Sequence, residues 1–384
     1  LALTASHIEL LTEFRRELHQ NPYVSLEEAP TIDRIATFLE KHTSGECIRI
    51  ADGRGLVCRF ESGVEGPELV VRADVDALPI SERSGREYAS QRHGVAHSCG
   101  HDGHSAILCG LAISLSQNLI QKGSVTLLFQ PAEEIGQGAQ LVLHDAYFRD
   151  LKIDQIVALH NIPGSKKGRV LIREGVQCAA STGVIIKLKG ETAHAATPES
   201  GKSPIKAMMD VTEYLNEMSG KITGSQTGFG LRVTIAGMSA GGPSFGVSPG
   251  FGTVWATLRT LDTHLLNESC EILRRHISEI SKNHGLEHEI ELTEHFDATQ
   301  NDSELVQQFT DIIRDVGYEV DKMDEPFSWS EDFGKFTSSY SGFLFGLGAG
   351  EHCHPLHHSA YDFPDEIIPD GVHLFETYIR DQLK

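Results

Sequence analysis

Apolar residues at Leu11, Phe14 and Leu18 recur at helical spacing and predict a first helix that ends before Asn21-Pro22. Ile32, Ile35, Ala36 and Leu39 form the stripe of a second helix, with Pro30 at its first position, where a missing N–H costs nothing. Strand-like runs follow at 55–60 and 69–72. Residues 106–115 are apolar nearly all round, which predicts a helix buried on most sides. Short continuous apolar runs at 125–129 and 156–159 fit strands covered on both faces. This alternation of helix and strand predicts an α/β domain built on a largely parallel sheet.

The pattern changes near Gly183. Residues 184–188 alternate as a strand and 204–218 read as a helix. Two strands at 231–235 and 253–258 are separated by a glycine-rich link, and a helix at 267–284 leads to a short last strand at 289–292. The order β-α-β-β-α-β is ferredoxin-like, and about a hundred residues suffice for a separate unit. A helix at 303–316, an apolar strand at 342–347 and a closing helix at 371–383 then resume the first pattern. The expected organisation is one domain over 1–182 and 294–384, with a second inserted at 183–293.

Composition narrows the function classes. A length of 384 residues exceeds what one core usually serves, in keeping with two domains. A net charge of −21 argues against nucleic acid and anionic membranes as partners. No apolar run approaches the roughly 20 residues of a membrane-spanning helix. The first residues lack the basic head and apolar stretch of a secretory signal. Seven scattered cysteines, an odd number, suit free thiols in a reducing compartment better than a disulfide framework, so the expected location is cytoplasmic.

The candidate chemistry centres on His97-Ser98-Cys99-Gly100-His101-Asp102-Gly103-His104. Cys99 and His101 can reach a common point if the backbone turns back at Gly100, and thiolate with imidazole suits zinc and its neighbours. Further ligand types stand at Glu133-Glu134 after one predicted strand, at His160 after another, and in the loop His352-Cys353-His354-Pro355-Leu356-His357-His358. Each has a blander reading. A lone buried histidine ordinarily hydrogen-bonds in a core, and adjacent glutamates ordinarily face water. Taken together, the blander readings require several coincidences. Metals held by such a set lower the pKa of water and polarise a carbonyl. A second carboxylate, Glu133 beside Glu134, is suited to move a proton from that water to a leaving amine. His194, in a loop after the first strand of the inserted domain, is the candidate for stabilising an oxyanion.

These segments resemble the M20 metallopeptidase family, in the amidohydrolase branch of aminoacylases, hippurate hydrolases, auxin-conjugate hydrolases and N-acetyldiaminopimelate deacetylases. The resemblance spans essentially the whole chain. It rests on Arg72-Ala73-Asp74-Val75-Asp76-Ala77-Leu78-Pro79, the Cys99 segment, Phe129-Gln130-Pro131-Ala132-Glu133-Glu134, Leu159-His160-Asn161, the His194 segment, Ser330-Glu331-Asp332-Phe333 and Leu356-His357. It implies a zinc-peptidase-like catalytic domain with an inserted ferredoxin-like lid, which is also the dimerisation domain of a homodimer. It further implies one or two divalent ions (zinc, manganese, nickel or cobalt) on Cys99, His101, Glu134, His160 and His357. In the same way it implies Glu133 as general base and acid, and Asp74 as the acid orienting a metal-site residue. His194 corresponds to a lid histidine that reaches the partner subunit's site, and Arg259 to an arginine suited to a substrate carboxylate.

Two positions depart from the family pattern. Gly246-Val247-Ser248-Pro249 stands where the family has Asn-Val-Ile-Pro, so Gly246 removes a substrate-contacting amide. Glu199 replaces a usual histidine after Pro198. The expected activity is hydrolysis of an N-acyl amino acid or similar small amide. The alternatives are a dipeptidase or carboxypeptidase on the same scaffold, or a non-catalytic metal-binding sensor. Asp102 is expected to orient a histidine, while His97 and His104 receive no role.

Overall fold

The structure is a computed structural model and describes residues 3–219 and 230–384. Leu1 and Ala2, the start of the segment read for a leader, lie outside the described residues. The chain forms two compact units. One comprises Leu1–Gln177, Thr299–Phe327 and Asp332–Lys384; the other comprises Cys178–Ala298 and Ser328–Glu331.

The first unit opens with α1 (Ala5–Gln20), α2 (Ala29–His42), β1 (Glu46–Ile50), β2 (Gly55–Glu61) and β3 (Glu68–Asp74). It continues through α3 (His101–Gln117), β4 (Ser124–Gln130), α4 (Gly138–His144), α5 (Ala146–Arg149), β5 (Gln155–Pro163), β6 (Val170–Ile172) and β7 (Gly175–Cys178). The second unit carries β8 (Ala180–Lys189), β9 (Ala193–His194), α6 (Ile205–Met218), β10 (Arg232–Ala240), β11 (Val247–Ser248), β12 (Phe251–Thr260), α7 (Thr263–Asn283) and β13 (Glu287–Phe296). The first unit then resumes with β14 (Thr299–Asn301), α8 (Ser303–Asp315), β15 (Val320–Lys322), α9 (Gly334–Thr337), β16 (Gly342–Gly350) and α10 (Ile368–Gln382).

The first unit is organised by an eight-stranded sheet in the order β1-β2-β4-β3-β5-β16-β6-β15. Its centre, β4-β3-β5-β16, is parallel. The β1 and β2 strands run antiparallel at one side, and β6 is antiparallel to β16. Every residue of β3 and β4 is buried, as continuous apolar runs require of strands covered on both faces. Helix α3 is buried from His101 through Leu115, because Ile107, Leu111 and Leu115 are joined by further small and apolar residues all round.

The second unit has a four-stranded antiparallel sheet in the order β10-β12-β8-β13, the ferredoxin-like arrangement of a β-α-β-β-α-β chain. All four of its strands are longer than the sequence pattern indicates, the edge strands β10 and β13 among them. Strand β10 runs to Ala240 past a bulge between Ile235 and Gly237, and β13 has ten residues rather than a short central run. Both lie at sheet edges with many exposed positions, so backbone pairing extends them where apolar patterning gives no signal.

Candidate metal centre and catalytic turn

Parallel pairing of β3 with β4 and β5 sets Asp74 opposite Gln130 and Arg72 opposite Ala158, so three strands end on one edge. Asp74 and Asp76 follow from β3, the Pro131–Glu134 turn from β4, and His160 lies within β5. Carboxyl ends of parallel strands are where α/β folds assemble sites. Helix α3 begins at the same edge. Its cap, Gly100, has φ of 94°, and a Cβ there would come within 2.6 Å of Asn161 Oδ1 and 2.9 Å of the Tyr361 hydroxyl. Only glycine fits that turn. The turn brings the Cys99 thiol and the His101 ring back toward one point.

Two histidines are fixed in the tautomer a metal needs. His101 Nδ1–H donates to the Asp76 carbonyl at 2.9 Å, and His160 Nδ1–H donates to the Asn161 carbonyl at 2.9 Å. Each ring therefore turns Nε2 toward the cluster, the nitrogen a metal would take in place of a proton. His160 Nε2 lies 3.6 Å from Cys99 Sγ, and His101 Nε2 lies 3.8 Å from Glu134 Oε1. His101 Nε2 and Glu134 Oε1 are buried and have no hydrogen-bond partner among the described residues. Glu134 Oε2 lies 3.5 Å from His357 Nε2. His357 is held in the left-handed region, φ 63°, with its N–H donating to the Ser98 carbonyl at 2.8 Å. Donor atoms of Cys99, His101 and Glu134 all fall within 4.8 Å of one another, as do those of Asp74, His101, His104 and His160. Soft thiolate, imidazole and carboxylate donors with orphaned lone pairs fit a divalent transition-metal ion.

The electrostatics agree with that fit. Burial, reinforced by the charges of Glu134, Glu133 and Asp74, pushes the Cys99 thiol up, so a thiolate at this point calls for a cation beside it. Burial opposes a charged His101, yet Asp74, Asp76 and Glu134 outweigh it and raise that ring to about 10, so the carboxylates draw a positive charge to this point, which a bound metal would supply in place of the proton. Burial raises Glu134 to about 8 against the pull of His101. Asp74 goes the other way: burial opposes its charge, but His101, His104 and Arg72 hold it well below the usual carboxylate range.

Glu133 stands on a strained turn. Ala132 before it has φ of 51°, a conformation that costs an L-residue roughly 1–2 kcal/mol. Its carboxylate is 5% exposed and accepts from the Asp332 N–H at 3.2 Å. The Asp332 carboxylate accepts from Arg72 at 3.1 Å, from Gln130 at 2.8 Å and from the Ala139 N–H at 2.8 Å, while Arg72 also donates to Asp74 at 2.7 Å. A continuous buried network thus runs from Glu133 to Asp74.

Sequence reasoning passed over His104. Its Nδ1–H donates to Asp74 at 2.6 Å, and its ring centroid lies 4.8 Å from that of His160, so it packs against the His160 imidazole. Spacing of one helical turn from His101 was the available signal. Asp102 does orient a histidine, but it is His19 of α1, 2.8 Å away, rather than a member of the metal cluster.

The remaining candidates lie in the second unit. His194 is exposed on β9, paired with Val247 of β11, and its Nδ1 accepts from the Ala196 N–H at 3.0 Å. Arg259 donates to the Ser328 carbonyl at 2.7 Å and to Ser330 Oγ at 2.8 Å. Among the described residues no carboxylate pairs with it. A Cβ at Gly246 would meet nothing within 4 Å among the described residues, so neither crowding nor backbone requires glycine there. Among the described residues no helix is long and apolar enough to cross a membrane.

A mostly parallel sheet whose strand ends gather buried metal donors beside a second buried carboxylate defines a metal-dependent hydrolase. The model of peptidase family M20/M25/M40 matches residues 70–381, and the chain belongs to that family as one of its amidohydrolases. It is 30% identical over 381 residues to the N-acetylcysteine deacetylase of Bacillus subtilis (strain 168), covering 98% of this chain and 97% of the relative. It is 27% identical over 372 residues to the N-acetyldiaminopimelate deacetylase of the same organism, covering 97% and 98%. The crystal structure of the Bacillus subtilis YXEP protein, a dinuclear metal binding peptidase from the M20 family, matches with a TM-score of 0.82 at 27% identity over 99% of both chains.

Proposed function

We propose that the protein hydrolyses the amide bond of N-acyl amino acids or closely similar small amides. The observation that carries this reading is the pairing, on one turn, of Glu134 among metal donors with Glu133 as a separate buried carboxylate. A divalent cation held by Cys99, His101, Glu134, His160 and His357 supplies Lewis acidity toward water and the scissile carbonyl. Five donors exceed the four of one tetrahedral site, which favours two ions (zinc, manganese, nickel or cobalt), as does the dinuclear relative.

Glu133 takes the proton of the attacking water and returns it to the departing nitrogen as the C–N bond breaks, leaving a carboxylate and a free amine. Asp74, gripped by Arg72, holds the His104 ring that braces His160. His194 polarises the scissile carbonyl from the partner subunit. Arg259, a cation with no carboxylate partner among the described residues, receives the substrate carboxylate. Gly246, where the resemblance implies an amide side chain, leaves open space at its Cβ position among the described residues. The names of the two deacetylase relatives support acyl rather than peptidyl substrates.

The protein acts as a cytoplasmic homodimer joined through the second unit. There, edge strand β10 and helix α6 leave Met238 at 49% and Met209 at 64% exposure along a shared groove. Assay of the metal-loaded protein against parallel panels of N-acetyl amino acids and dipeptides tests the substrate class. Cleavage confined to dipeptides overturns the acyl assignment in favour of a dipeptidase.

A further inference from the structure

We infer that Glu28 is a positioning residue that sets the catalytic turn carrying Glu133 and Glu134. Glu28 occupies the N-cap position of α2, and among the described residues its side chain makes no capping hydrogen bond. Its carboxylate is fully buried and turned the other way. Oε1 accepts from two main-chain N–H groups, that of Leu26 at 2.8 Å and that of Ala132 at 2.8 Å. Both residues are non-glycine and both lie in the left-handed region, at φ 69° and 51°. One oxygen therefore pins two strained residues together, one in the loop before α2 and one directly before the proposed base.

The same loop grips the other end of the turn. Ser25 donates to Asp76 Oδ2 at 2.6 Å, and that oxygen also accepts from the Glu134 N–H at 3.1 Å. A parallel bridge of Val24 with Ala77 ties the loop to the segment after β3. Among the described residues, the hydrogen bonds of the Glu28 carboxylate go to Leu26 and Ala132 and to none of the proposed metal donors. Its effect on catalysis passes through the backbone conformation of Ala132, which aims the two following carboxylates in different directions. Strained residues persist at sites where surroundings over-determine them, and Glu28 is the buried acceptor that does so here.

This inference rests on the reading of Glu133 as the base. The test compares metal-loaded wild type with Glu28→Gln, Glu28→Met and Glu133→Gln, using an N-acetyl amino acid that the wild type cleaves. Gln keeps an Oε1 acceptor; Met fills the same volume without one. Expected is a roughly 100-fold fall in kcat for Glu28→Met, with KM, bound metal by mass spectrometry and helical circular dichroism unchanged. Glu28→Gln stays within a few-fold of wild type. Wild-type kcat in Glu28→Met, or equal losses in both Glu28 variants, overturns the inference. Full turnover in Glu133→Gln removes the base reading and this inference with it. Full turnover in Glu28→Met beside an inactive Glu133→Gln removes this inference alone.

Discussion

Asp332 donates its main-chain N–H to Oε1 of Glu133 across 199 residues of sequence, at 3.2 Å. The same residue's carboxylate is locked by Arg72, Gln130 and the Ala139 N–H. The proposed base is thus oriented by a residue that is itself immobilised. Both ends of the Asp332–Arg72 pair are fully buried. Removing one partner of a buried pair costs about 3–5 kcal/mol when the other charge is left alone; Asp74 still faces Arg72, so the low end of that range applies here. Asp332→Ala is expected to lose stability on that scale in urea unfolding; a loss below about 1 kcal/mol would show that the pair is not holding the site.

Metal and fold should be linked. The donor cluster forms only in the folded chain, so an ion that binds there stabilises it by about 2.7 kcal/mol at one hundred times its dissociation constant. Stripping with a chelator is expected to abolish hydrolysis and lower the melting temperature, and adding back a divalent transition metal should restore both. Cys99→Ser, which exchanges a thiolate for a hydroxyl, is expected to bind less metal per chain at equal free metal. Unchanged stoichiometry and affinity in that variant would remove Cys99 from the ligand set.

A pH effect follows from His19. Burial disfavours its charged form, but Asp102 and Glu82 prevail and raise it to about 9 from an ordinary 6.5. A raised histidine stabilises the fold fully below pH 6.5 and loses that contribution as pH rises through about 9. The wild type should therefore lose more thermal stability between those limits than His19→Gln does. Parallel melting profiles for the two proteins would contradict the assignment.

Gly246→Asn probes substrate recognition. Open space at the Cβ position means the change is expected to alter stability by no more than about 0.5 kcal/mol. If this position contacts substrate, KM for N-acetyl amino acids should shift while kcat for the best substrate holds. An unchanged KM across the panel would place Gly246 outside the substrate site.

The parts of this molecule visible in its sequence are those whose signal is local. Continuous apolar runs gave β3, β4 and β5, and the switch to β-α-β-β-α-β order marked the ferredoxin-like sheet. Cys99 with His101, and Glu133 with Glu134, stood out because ligand types sat side by side. Glu28 was hidden for the opposite reason. Before Pro30 it reads as an ordinary acidic helix start, and its target, Ala132, lies 104 residues away. Asp332 carried a recognisable motif but no visible task, since its partners come from β3, β4, the turn after β4 and the start of α4. His104 lay within reach of helical periodicity, yet three histidines in one short stretch could not be ranked without the Asp74 contact. Strand ends at β10 and β13 escaped because edge pairing is decided by neighbouring backbone rather than by side-chain pattern.

The central claim is that Glu133 moves the proton while its neighbours hold the metal. Glu133→Gln, purified with its metal content measured and assayed on an N-acetyl amino acid, tests it most directly. The account predicts wild-type metal occupancy with kcat reduced by about 10²–10⁴-fold. Turnover at the wild-type rate with full metal would contradict it.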